Sequence, residues 1–302
     1  MSKSAEYVEK VGLKSQKRPR LGFVGVGEHA QRLADALVQC GAEIVCHDRA
    51  SDAEGPTWAG ERVPWREMVD DHEGVDAVVA VAPPDVTGAV FDRCWSDERP
   101  CLATKPLYEK RKVHEVDSRN FHVDLWRLHS PAWLAMKAEL KSKTIESIEV
   151  TCVGDGPVRE FSGVLDYGPH ALAFVGDLLG SVPQEWEPAL TFEFVNPRRA
   201  GHVTWQGQAS VGDTTVRVVT GNDWPGKLMA VIVRANGVAY EWFELFEEQG
   251  FKLLDAPLKE KIVVNTRDYA LRAFCRSWLA GEPSDSLRLS IEGMRVLQRV
   301  AP

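Results

Sequence analysis

The sequence predicts two kinds of sheet in succession: a parallel α/β unit over residues 18–128, then a mostly antiparallel sheet with helices over 129–302. Three observations carry this reading. Up to about residue 128, short apolar runs alternate with helical patterns, the rhythm of a parallel sheet with right-handed crossovers. Residues 189–254 then hold strands of alternating polarity with no helices between them, as an antiparallel sheet with one wet face requires. Two helical stretches close the chain. At 302 residues, both units fit and a third does not.

Taken in order, LGFVGV (21–26) reads as a fully buried strand. A helical pattern follows from Glu28 to about Cys40, with apolar residues at 30, 33, 34, 37 and 38, and Gly41 stops it. AEIVCHD (42–48) is a second strand, 65–71 a short helix, and DAVVAVA (76–82) a third strand closed by Pro83 and Pro84. Residues 85–95 are helical, 100–104 strand-like, and FHVDLW (121–126) is another strand. A helix over 131–142 and a strand over 146–153 open the second unit. TRDYALRAFCRSWLAG and SLRLSIEGMRVLQRV end it as helices.

Composition narrows the function classes. The 36 Lys+Arg against 44 Asp+Glu leave a net charge of −8, and the two sides of residue 128 each hold 18 bases and 22 acids. Neither unit hides a basic face, which argues against nucleic acid as a partner. No apolar run approaches the roughly 20 residues of a membrane span. Residues 1–17 read as a flexible basic tail: the first 20 residues hold six bases and two acids, without the apolar stretch of a secretory signal. Six cysteines lack any CxxC pair and eight histidines lack HxxxH or HExxH, so neither a disulfide scaffold nor a metal site is expected, and the expected compartment is the cytoplasm. The ten tryptophans divide evenly between the units, which suits core and interface roles better than a sugar-stacking platform; Trp126 stands out beside Arg127 at the junction.

The strongest motif is Gly25-Val26-Gly27-Glu28-His29-Ala30, a G-x-G-x-x-A that follows a strand and opens a helix. Gly25 suits the tight turn, Gly27 lets a pyrophosphate approach the backbone, and Ala30 lets the helix pack on the strand. Asp48, at the end of the second strand, is 21 residues beyond Gly27, near the spacing of a ribose-hydroxyl ligand. Together these predict a Rossmann-type dinucleotide site. Asp48 leans the reading to NAD, and Arg49 beside it leaves NADP open through its affinity for a 2′-phosphate.

Three further segments resemble the Gfo/Idh/MocA oxidoreductases, the glucose–fructose oxidoreductase and inositol dehydrogenase type. VDAVVAVAPPDV resembles the family's fourth-strand signature, Thr104-Lys105-Pro106 its Glu-Lys-Pro, and the segment from Gly163 through Asp166 and Gly168 to His170 its G-x-x-x-D-x-G-x-H. The closing region through Tyr269, Phe274 and Gly281 is also similar, so the resemblance covers about 18–300. It implies a catalytic set of Lys105, Asp166 and His170, a loop at Ala82, Pro83 and Pro84 passing under the cofactor, and a homodimer or homotetramer formed through the outer face of the antiparallel sheet. It also implies a small-molecule substrate: a sugar, cyclitol or related polyol oxidised or reduced at a CH–OH carbon. Compact size and the chain's ending resemble the aldose 1-dehydrogenase branch. Reduction of an imine or bilin-type double bond, and a non-catalytic nucleotide-binding sensor of the same fold, are the alternatives. Thr104, Ala82, Thr87 and Ala173 depart from the family's usual glutamate, threonine, histidine and aspartate.

The residue types suit that chemistry. Alcohol oxidation needs a base for the hydroxyl proton while nicotinamide takes the hydride. Pro169 reads as the first residue of a helix running to Gly180, which places His170 in the first turn, where the helix dipole keeps it neutral and able to act as that base. Asp166, four residues earlier, would orient the ring or share a proton relay, and Lys105 would hold the substrate oxygen and stabilise a developing alkoxide. Arg127 reads equally as a junction salt bridge or a substrate contact. Asp177 reads as a surface acid, and Asp155, Arg159 and Glu160 as residues able to face the cleft.

Overall fold

The structure, a computed structural model, describes residues 18–49, 56–70, 74–107, 119–155, 163–187, 191–192, 204–224, 226–245, 248–254 and 261–300. The tail at 1–17, together with Arg159 and Glu160, lies outside the described residues.

The first sheet is parallel, built from β1 (Arg20–Val24), β2 (Glu43–Asp48), β3 (Glu61–Arg62), β4 (Ala77–Ala80), β5 (Cys101–Ala103) and β6 (Phe121–Val123) in the order β3-β2-β1-β4-β5-β6. The order reverses direction between β1 and β4. In a doubly wound sheet, ligands bind in the crevice at that point, beyond the carboxyl ends of the strands. Helices α1 (Glu28–Gln39), α2 (Trp65–Asp70) and α3 (Pro84–Ser96) provide the crossovers. The sixth strand is shorter than FHVDLW suggests: it ends at Val123, and Trp126–His129 form a 3-10 turn. That turn leads into α4 (Pro131–Leu140), whose N-cap Ser130 accepts the Trp133 N–H and whose Pro131 occupies the first helical position.

The second sheet has eight strands: β7 (Ile145–Val153), β8 (Thr191–Phe192), β9 (Thr204–Val211), β10 (Thr214–Gly221), β11 (Leu228–Ala235), β12 (Val238–Leu245), β13 (Glu248–Leu253) and β14 (Lys261–Thr266). Their order is β14-β13-β12-β11-β7-β10-β9-β8, antiparallel throughout except for β7 beside β10. Helices α4 and α5 (Gly163–Leu179) cover one face. Beneath them, Trp133, Phe174 and Trp242 meet with ring centroids 4.6, 4.7 and 6.1 Å apart, each pair worth about 0.5–1.5 kcal/mol beyond its buried area. Five of the ten tryptophans (126, 133, 205, 242 and 278) are buried, four more are partly buried against the core, and Trp224 is exposed.

Helix α5 corrects the sequence expectation. It begins at Gly163, not Pro169, so Pro169 and His170 lie in its interior. Proline removes one intrahelical bond, but every residue from Gly168 to Gly176 is buried, and tertiary packing overrides the local signal. Glycines on α5 admit α7 (Ser286–Val300): a Cβ at Gly168 would lie 2.7 Å from Leu297 Cδ2, and one at Gly176 2.5 Å from Leu289 Cδ2. Asp177 is likewise no simple surface acid, since its carboxylate accepts from Trp133 Nε1 at 2.6 Å and Lys137 Nζ at 2.7 Å.

The last helices return to the first sheet. α6 (Arg267–Leu279) packs Ala270, Phe274 and Trp278 with Leu33 and Leu37 of α1 over Leu21, Phe23 and Val79. The Ser286 hydroxyl at the start of α7 accepts the Val123 N–H of β6. All six cysteines are free thiols, five of them buried.

Candidate active site

The loops that matter leave the carboxyl ends of the parallel strands. Gly25 follows β1 with φ +95°, a conformation that side-chain-bearing residues resist, and its N–H donates to Asp48 O at 2.9 Å. A Cβ there would sit 2.0 Å from Val81 O, so the dinucleotide loop is pressed against the loop after β4. At Gly27 the same construction meets nothing within 4 Å. Gly27 is also the N-cap of α1, and no side chain caps that helix. An open approach to uncapped helical N–H groups fits a pyrophosphate, so these residues suit a dinucleotide.

The neighbouring motif residues fall into place around that loop. Asp48 Oδ2 accepts the Trp65 N–H at 2.9 Å, starting α2; Asp48 thus holds the loop's edge with one oxygen. Arg49 follows it, its carbonyl accepting from Arg62. Val26 is partly exposed, and Glu28 points to solvent and pairs with Arg32 at 2.8 Å. Thr87, a departure from the histidine usual in the family that the sequence resembles, donates to Ala82 O at 2.8 Å and accepts from Ala82 N–H at 3.2 Å, which locks the turn at Ala82, Pro83 and Pro84. Thr104, in place of the glutamate, donates to Ala80 O at 3.2 Å.

Lys105 follows β5, with a cis peptide to Pro106. Its Nζ donates to Asp166 Oδ1 at 2.6 Å and to Asp166 O at 2.5 Å. The structure therefore brings Lys105 and Asp166 together across 61 residues, one turn before His170 on α5. His170 has a different partner from the one expected: its Nε2 stands 3.1 Å from Arg127 Nη1. A guanidinium has only donors, so Nε2 is the acceptor and the ring is neutral with its proton on Nδ1. Neutrality was expected from a helix dipole; its cause is instead burial, reinforced by the charges of Arg127, Lys105, Lys227 and His29, which together hold His170 well below the usual histidine range.

Arg127 is spent internally. It donates from Nε and Nη2 to Glu244 at 2.8 and 3.1 Å and stacks 4.3 Å over Trp126. This favours the salt-bridge reading over substrate contact. Glu244 also takes Lys227 and Gln249 Nε2, with Arg267 Nε 3.5 Å away. Burial opposes its charge, but Arg127 and Lys227 overcome that and hold the carboxyl well below the usual range. Lys227 is pulled down to about 8, first by burial and then by Arg127. Glu244, Lys227 and Arg267 escaped the motif reading. One signal was present: Tyr240, Trp242 and Glu244 share the inward register of β12, so an acid stands where an apolar residue belongs.

His29, in the first turn of α1, is paired across the fold. Its Nε2 lies 2.6 Å from Asp124 Oδ2, just beyond β6. Among the described residues, no cluster of metal-ligating side chains is found, and no helix is long and apolar enough to cross a membrane.

His170 makes a pH prediction. Its folded-state affinity for protons is depressed, whereas an unfolded-chain histidine protonates near 6.5. Below that value the unfolded state binds the extra proton, so stability is expected to fall as pH drops from 7 to 5, by up to about 1.4 kcal/mol per unit. Urea denaturation of wild type and His170→Gln checks this; equal pH slopes for the two would refute it.

No protein-family model matches the chain, and no curated protein matches it. Solved structures do. A 3-ketoreductase from Actinomadura kijaniata in complex with NADP superposes with a TM-score of 0.70 at 18% identity, over 93% of this chain and 97% of its own. A dehydrogenase from Chromobacterium violaceum does so with 0.70 at 11%, covering 95% of each. A Magnetospirillum magnetotacticum protein provisionally assigned as an oxidoreductase reaches 0.73 at 20%, over 94% of this chain and all of its own. The two-unit architecture is therefore a known one, shared along nearly the whole chain.

Proposed function

We propose that the protein is an NAD(P)-dependent oxidoreductase that moves a hydride between nicotinamide and a CH–OH or C=O carbon of a sugar, cyclitol or related polyol. What supports the reading is the Lys105–Asp166 pair, one helical turn before the buried His170, together with a dinucleotide loop that has room for a pyrophosphate. The likeness to an NADP-bound 3-ketoreductase and to a dehydrogenase supports it.

Gly25 and Gly27 with the first turn of α1 would hold the pyrophosphate, and Asp48 or Arg49 the adenosine ribose side. Bound there, the nicotinamide would supply a two-electron hydride acceptor or donor. Lys105, oriented by Asp166, would place a positive charge on the substrate oxygen and stabilise alkoxide character there. His170, neutral and fixed by Arg127, would present a buried polar face to the substrate. The reading includes a homodimer or homotetramer through the second sheet, which exposes Val211, Leu228 and Leu245.

The test is direct. Purified protein is titrated with NADH and NADPH by fluorescence, then assayed with oxidised cofactor and a panel of sugars and polyols, and with reduced cofactor and the matching ketones. Cofactor binding with turnover that His170→Ala diminishes is the expected result. Binding without turnover, with His170→Ala unchanged in every property, would support the sensor instead.

A further inference from the structure

We propose that Lys227 sets the substrate class of this site: it holds a carboxylate or phosphate carried by the sugar or polyol, so the substrate is an anion. The inference rests on the oxidoreductase reading above and narrows it.

Lys227 is tied to the candidate site by an unbroken run of contacts. It stands one residue before β11, whose first residue Leu228 pairs with Val153 at the end of β7. The connection that carries it begins at Asn222, and a Cβ on Gly163 would lie 1.9 Å from Asn222 Oδ1. That connection is therefore packed against the first residue of α5, three residues before Asp166. Lys227 Nζ contacts Glu244 Oε1, Glu244 Oε2 accepts from Arg127 Nε at 2.8 Å, and Arg127 Nη1 donates to His170 Nε2 at 3.1 Å. The charges of Lys227 and Lys105 both act on His170, and both act on the buried Cys152 thiol of β7.

Charge makes the case for an anion. Glu244 is the carboxylate that Arg127 and Lys227 share, and Arg267 Nε stands 3.5 Å from it. Even with Arg267 set aside, two cations meet one negative charge. Lys105 differs, being matched by Asp166 at 2.6 Å, so the excess lies on the Glu244 side. Lys227 itself registers that excess: burial and then Arg127 pull it down to about 8. Unbalanced charge in a low-dielectric setting is unfavourable, and a bound anion removes the imbalance.

Lys227 also has the means to bind one. An ammonium carries three N–H donors, and among the described residues its hydrogen-bond partner is Glu244. Its side chain is 36% exposed, against 6% for Arg127 and 1% for Glu244, so it is the member of the group that reaches solvent. Lysine is a compact point charge, which serves a carboxylate and a phosphate alike.

The test compares ligands that differ in charge. Protein loaded with NADPH or NADH is titrated calorimetrically with glucose, glucuronate and glucose 6-phosphate, and with glucitol and gluconate. At least one charged ligand is expected to bind about tenfold or more tightly than its neutral counterpart, as one charge-assisted hydrogen bond allows. The carboxylate and phosphate arms tell which anion is taken. Lys227→Gln should abolish the preference, and Lys227→Arg, which keeps the charge, should retain most of it. Melting curves establish that each variant is folded, and Lys227→Met replaces Lys227→Gln if the latter is not. A lysine that only neutralises Glu244 would lower the melting temperature of Lys227→Gln and leave the preference intact. An undiminished preference in the folded variant, or cofactor binding with no charged ligand favoured over its neutral counterpart, overturns the proposal. No binding of any cofactor form defeats the oxidoreductase reading itself.

Discussion

Replacing Glu244 with alanine is expected to destabilise the protein by about 3–5 kcal/mol, the cost of leaving buried charges without their counter-ion. The side chain is 1% exposed and holds Arg127 through two bonds and Lys227 through a third contact. Arg127 would lose both charged bonds and keep only His170 and the Trp126 ring. Glu244→Gln, which can still accept one bond, should fall between wild type and alanine. The sign with pH follows from the depressed carboxyl: its contribution is complete above an unfolded-state value of 4.5 and drains away as pH falls below that. Urea unfolding of the three proteins measures the effect, and a loss of less than about 1 kcal/mol in Glu244→Ala would show that the cations find water instead.

The second large effect concerns the reaction. For the proposed hydride transfer, Lys105→Met is expected to lower kcat by about 10²–10³-fold, the loss usual when one preorganised donor to a developing oxyanion is removed. Lys105 Nζ is fixed by two bonds to Asp166, so the charge is held in place before substrate arrives. Lys105→Arg keeps the charge but not the compact ammonium, and should recover only part of the rate. Steady-state rates, with cofactor titration and a melting curve for each variant, separate this from misfolding. A kcat within about threefold of wild type in Lys105→Met removes the lysine from the reaction.

The dinucleotide loop was legible because it is local. Gly25 needs a positive φ, Gly27 needs empty space, and the helix starts one residue later, all within a six-residue window. The strand and helix alternation was legible for the same reason, since a buried parallel strand is a short apolar run whatever it pairs with. Local signals misled where burial outweighed them. Pro169 read as a helix start, yet α5 continues through it because both sides of the helix are packed. FHVDLW read as one strand, yet the chain turns after Val123 into the 3-10 turn that aims Arg127 inward.

By itself the sequence determined the order of elements, the parallel and antiparallel halves, the nucleotide loop, and the candidate lysine, aspartate and histidine. Tertiary structure alone decided their partners: Arg127 with Glu244 across 117 residues, His29 with Asp124 across 95, and α6 returning to cover α1. The physical reason is range. Backbone sterics, helix periodicity and strand alternation act between near neighbours and leave their mark on every short window. An ion pair between distant segments leaves none until the chain has closed, when desolvation decides which buried charge must meet which.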